Sequence, residues 1–127
     1  MLKSTECRDT NMLFPTLEEQ LNIKPPLFKL AHEIDWEVFE REFSPLYHKS
    51  KGRPAKAIRL MVGLLILKHT RNLSDESVVL QWSENAYYQY FCGEVMFVPD
   101  LPCNSSELVH FRKRIGEKGI ELILANI

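Results

Sequence analysis

The stretch Lys56-Ala-Ile-Arg-Leu-Met-Val-Gly-Leu-Leu-Ile-Leu-Lys68 limits what this chain can fold into more than any other, because nine of its thirteen residues are apolar. At 3.6 residues per turn the apolar positions nearly encircle a helix, and before Lys68 only Lys56, Arg59 and Gly63 interrupt them, on one narrow stripe. Such a helix has to be covered on most of its circumference, so it is expected at the centre of a helical core. A bilayer would cover it equally well, but the apolar run from Leu60 to Leu67 is far short of the ~20 residues a span requires. Pro54 suits the approach to its first turn, and Arg71-Asn72 closes it with cations that complement the helix dipole.

The segments around this stretch also read as helices. Residues 1–14 show no periodicity and read as a flexible tail. Thr16-Leu-Glu-Glu19 has the form of a capping box opening a short helix, and Pro25-Pro26 ends it. Leu27, Leu30, Ala31 and Ile34 recur at helical spacing, and Trp36, Phe39 and Phe43 do so behind Asp35. Ser44-Pro45-Leu46-Tyr47 is expected to break that third helix. Ser74 with Asp75 and Glu76 starts another helix, and Ala86 to Phe91 forms an aromatic one that Gly93 terminates. Trp82 with Tyr87, Tyr88, Tyr90 and Phe91 suits either a base-stacking platform or the core, and the core is the expectation beside so apolar a helix. Residues 94–103 read as a connecting loop that lays Met96 and Phe97 on the core, since a lone strand has no partner. Asn104-Ser-Ser-Glu107 caps a last helix carrying Leu108, Phe111 and Ile115, and Gly116 suits the left-handed position just past it. Ile120, Leu122, Ile123 and Ile127 begin a further amphipathic segment. The expected architecture is all-α, a compact multi-helix bundle with a central apolar helix and a helix-turn-helix-like C-terminal half.

Net charge is −1, yet the charges are blocked along the chain. Residues 48–71 carry seven Lys/Arg and no acid, whereas 72–105 carry five acids and no Lys/Arg. The cationic block is the kind of local field that neutralises phosphates, with a solvated loop as the bland alternative. Three cysteines without Cys-x-x-Cys spacing are read as reduced thiols in a cytoplasm, and no apolar run follows the first charges as in a signal peptide. There is no phosphate-cradling glycine loop and no nucleophile elbow, and the four histidines show no ligand spacing. No cofactor or metal is expected in this chain, and no catalysis from it alone.

The candidate DNA contacts are Lys49, Lys51, Arg53, Lys56 and Arg59 in the basic block, with Ser105, Ser106, Arg112, Lys113 and Arg114 on the last helix. In a helix-turn-helix-like trio the polar N-terminal turn of that helix approaches a groove while its cations reach phosphates or base edges. The connection ahead of it is longer than the standard short turn. If Lys49, Lys51, Arg53, Lys56, Arg112, Lys113 and Arg114 neutralise about six phosphates, affinity falls by roughly three to five decades between 50 and 200 mM salt.

Several motifs in order carry a resemblance: Gly52-Arg-Pro, Ile58-Arg-Leu-Met-Val-Gly-Leu-Leu-Ile-Leu-Lys68, Asn72-Leu-Ser-Asp-Glu76, Tyr88-Gln-Tyr-Phe-Cys-Gly93, Leu101-Pro-Cys-Asn-Ser-Ser106 and His110-Phe-Arg-Lys-Arg-Ile-Gly116. Across roughly residues 13–127 the chain resembles the N-terminal domain of InsH-type insertion-sequence transposases. The resemblance implies a bacterial helical domain over 15–127 that helps bind the terminal inverted repeats of a mobile element in double-stranded DNA. It also implies a separate RNase H-like domain whose Asp-Asp-Glu triad binds divalent metal and cuts and rejoins DNA. The chain stops before any such triad, and with its apolar last segment it reads as a truncated or split element. Two other readings are an oligomerisation module that pairs with itself or inhibits a full-length transposase, and a small transcription regulator that shares the basic surface.

Overall fold

A computed structural model describes residues 15–49, with side chains through Tyr47, and 56–127. Seven helices account for the regular structure among these residues. The central one, α4 (Ile58–Arg71), buries every residue from Leu60 to Leu67 together with Ile58. It is covered by α3 (Trp36–Lys49), α5 (Asp75–Glu84) and α7 (Ser105–Ala125), while α2 (Pro26–Glu33) packs on α6 (Ala86–Phe91) and α1 (Leu17–Gln20) leans on α6 from outside. No described helix is long and apolar enough to cross a membrane.

The stripe of α4 that interrupts the apolar run turns inward. A Cβ on Gly63 would stand 2.6 Å from Cys92 Sγ and 3.2 Å from Cys92 Cα, so the missing side chain is what lets the end of α6 close on α4. One turn earlier, the guanidinium of Arg59 lies 4.4 Å from the centre of the Trp36 ring and donates to the Phe91 carbonyl oxygen at 3.2 Å. The helix closes on Asn72, whose φ of 56° is left-handed and whose N–H returns to the Lys68 carbonyl.

The capping boxes at Thr16/Glu19 and Asn104/Glu107 form as their sequences predict, and Ser74 caps α5 through the Ser77 N–H. Two expectations are corrected. First, Pro45 does not break α3, which runs on to Lys49. Proline removes one hydrogen bond, to the Arg41 carbonyl, but Leu46 and Tyr47 beyond it pack against the core and hold the helix together. Second, Met96 and Phe97 are exposed, at 36% and 45%, instead of lying on the core. The fully buried Gln89 decides this: its amide accepts the Val98 N–H at 2.7 Å and donates to the Val98 carbonyl at 2.7 Å and the Trp82 carbonyl at 3.0 Å. With Val98 held inward by that clamp, its neighbours face out.

Gly116 stands just past a helix, as its place in the sequence predicts. Its φ of 69° is positive, but its ψ of −173° is extended, and helical geometry resumes at once, so α7 is two helical pieces joined at a kink. The second piece folds back to bury Ile123, with Ile120 and Leu122 packed beside it. Trp82, Tyr88 and Phe91 are buried, so the core reading of the aromatic cluster holds for them.

Candidate nucleic-acid interface

The rotation of α7 about its own axis decides which of its polar residues can meet a ligand. Leu108, Phe111 and Ile115 are buried against α3, α4 and α5, which leaves Ser106, His110, Lys113 and Arg114 exposed on the other side. Glu107 is occupied at the start of the helix, where its Oε1 accepts the Asn104 N–H at 2.8 Å.

The two edges of this face differ. Toward α3, the Arg114 guanidinium lies 4.7 Å from the centre of the Tyr47 ring. Tyr47, Lys56, Met61, Glu107, His110, Phe111 and Arg114 line a cleft of ≈ 150 Å³ there. Burial pushes the Tyr47 phenol above its ordinary value, with Arg114 opposing. Burial likewise raises the Cys103 thiol to about 11, helped by Glu107 and opposed by Lys56, so Lys56 acts within this neighbourhood.

Toward α5, the face is acidic. Arg112 grips Asp75 with both arms, Nη1 to Oδ1 at 2.6 Å and Nη2 to Oδ2 at 3.1 Å. That fork lowers the Asp75 pKa and raises that of Arg112. Beside it Ser74, Asp75, Glu76, Ser105, Ser106 and Val109 surround an open hollow.

Of the residues singled out from the sequence, the structure brings Lys56 and Arg114 together around one cleft, with Lys113 exposed on the same helix as Arg114. Arg59 is engaged with Trp36 and the Phe91 carbonyl, Arg112 is engaged with Asp75, and Ser105 and the exposed Ser106 both border the hollow that holds the α5 acids. The Lys49 side chain, Lys51 and Arg53 lie outside the described residues. His110 and Tyr47 were missing from the candidate set. His110 was legible as the residue four after Ser106 and four before Arg114. Tyr47 was hidden by reading Pro45 as a helix end. No group of three or more His, Cys, Asp or Glu among the described residues is arranged to hold a metal ion.

The transposase domain family DUF772 matches residues 15–114 of this sequence. The chain belongs to that family. Its α1 to α6 and the kink-proximal piece of α7, with the face just described, are therefore the transposase domain itself. A relative from Rhizobium meliloti, described as uncharacterized protein ORF8 in the nfe locus, is 45% identical over 108 residues. That match covers 85% of this chain and 52% of the relative, so the chain spans about half the relative's length. No solved structure matches. Both findings agree with the resemblance to the N-terminal region of insertion-sequence transposases.

Proposed function

We propose that this transposase domain binds the terminal inverted repeats of an insertion sequence as duplex DNA, and that strand cutting and joining reside outside the chain. The observation that carries this reading is the meeting of Lys56 and Arg114, distant in sequence, around one cleft beside the exposed Ser106, His110 and Lys113. Cations grouped at the edge of an exposed helix face suit phosphate contacts, while the short polar side chains between them suit base edges. The basic residues Lys49, Lys51 and Arg53 precede Lys56 in the sequence. Arg59 and Arg112 drop out of the interface because their guanidinium groups are already engaged.

The test is a mobility shift on an inverted-repeat duplex with the intact chain and with a Lys56→Glu/Lys113→Glu/Arg114→Glu variant. The intact chain is expected to bind more weakly as salt rises, and the variant to lose binding and about 2.7 of the slope of log affinity against log salt, at ~0.9 per phosphate. Binding that ignores salt, or that survives the triple reversal, contradicts the reading.

A second reading has one observation in its favour. Leu124 and Ile127 are exposed at 45% and 41%, and Leu124 borders a hollow lined by Leu65, Ile120 and Ile123. This apolar end suits self-association or pairing with a longer transposase. A strict monomer by light scattering across a wide concentration range, with no co-purification of a longer relative, removes it.

A further inference from the structure

Arg112 stands in the middle of the cationic run Arg112-Lys113-Arg114, where the sequence makes it look like a phosphate contact. The fork to Asp75 gives it a different occupation. Asp75 is in the first turn of α5, directly after the cap Ser74, so its position is fixed by a helix start rather than by a pliable loop. Arg112 lies near the middle of the first piece of α7, and the bidentate geometry restrains the direction of approach as well as the distance. A single fork therefore ties the roll of α7 to the start of α5.

That roll is what aims Ser106, His110 and Lys113 outward. On an α-helix Arg112 sits about a quarter turn from Lys113, and a rotation of that size exchanges a face residue for an edge residue. Burial of Leu108, Phe111 and Ile115 sets the roll of α7 coarsely, and the fork adds a directional restraint that hydrophobic contact lacks. Glu76 and Asp75 also make the α5 edge hostile to phosphate, so a duplex that engages the face is confined to the side of Lys56 and Arg114.

Resting on the DNA-binding reading above, we infer that Asp75 and Arg112 are positioning residues for the base-reading face of α7, and that Arg112 makes no phosphate contact. The pair sets specificity: it decides which side chains meet base edges without touching DNA itself.

The experiment measures affinity for the inverted repeat and for an unrelated duplex across a salt series, using the intact chain, Arg112→Gln, Asp75→Asn and the exchanged pair Asp75→Arg/Arg112→Asp. Circular dichroism checks that each variant is folded. Both single variants are expected to bind the inverted repeat up to about fivefold more weakly, the scale of a partly exposed ion pair, with an unchanged salt slope and unchanged binding to the unrelated duplex. The exchanged pair is expected to recover most of the lost specificity. A slope that falls by about 0.9 in Arg112→Gln identifies a phosphate contact and overturns the inference. Tighter binding by Asp75→Asn does so too, because it means that Asp75 merely withholds Arg112 from DNA. Should the exchanged pair unfold, the slopes of the two single variants still decide. Failure of the DNA-binding reading is seen separately, as an intact chain that binds neither duplex at low salt.

Discussion

Two buried residues that are not hydrophobic side chains govern how closely the elements approach. Gly63 is a gap in α4 that Cys92 fills, and the clash of an added methyl would fall partly on backbone, which cannot move aside as a flexible side chain can. Gly63→Ala is expected to lower stability by about 1–3 kcal/mol in urea unfolding, the range for forced overpacking. Gln89 replaces a backbone partner for Val98, and Gln89→Leu strands the Val98 N–H and carbonyl, while the Trp82 carbonyl keeps the Asn85 N–H. The expected cost is about 3 kcal/mol, with faster proteolysis in residues 94–101, where the clamp was the tie. Neither role was legible in the sequence. Gly63 looked like part of a solvated stripe, because periodicity reports which positions are apolar and not where a neighbouring helix comes nearest. A buried glutamine carries no signal until the carbonyls around it are known.

Among the elements, the caps, the apolar faces and the break at Gly116 were readable, and the proline inside α3 was not. Thr16-x-x-Glu19 and Asn104-x-x-Glu107 state their own hydrogen bonds, so local chemistry suffices. Pro45 reads as an end in the sequence but is not one, because Leu46 and Tyr47 pack beyond it and carry α3 onward, whereas Gly116 does separate two helical pieces. The kink at Gly116 has nothing within 4 Å of an added Cβ, so strain in Gly116→Ala comes from the backbone alone. Its φ and ψ suit glycine almost exclusively, and the substitution is expected to cost about 1–3 kcal/mol, seen as a lower Tm. The fork between α5 and α7 makes a pH prediction. The Asp75 carboxyl titrates below its ordinary value when folded, so its contribution is present above about pH 3.9 and is lost as pH falls through the folded value. Acid unfolding of Asp75→Asn is expected to lack that component, while at neutral pH the variant is less stable by about 1 kcal/mol or less, since both side chains are partly exposed.

At the scale of the whole molecule, charge in sequence became charge in space only in part. The cationic block and the run Arg112 to Arg114 pointed to DNA, and Lys56 and Arg114 do meet around one cleft, joined by His110, with Lys113 exposed on the same helix as Arg114. A count of cations cannot separate these from Arg59 and Arg112, because engagement with Trp36 or Asp75 depends on helices brought together by folding. The family was legible from motifs in order, and the domain match supports it across residues 15–114. The central claim is that one face of α7 with its α3 edge receives the duplex. Amide chemical shifts followed during titration with an inverted-repeat duplex test this most directly. Changes are expected to concentrate at Lys56 and across Ser106 to Arg114, leaving residues 94–101 and α2 unmoved. Changes centred on the exposed Val95 to Phe97 or on α2, with α7 silent, would contradict it.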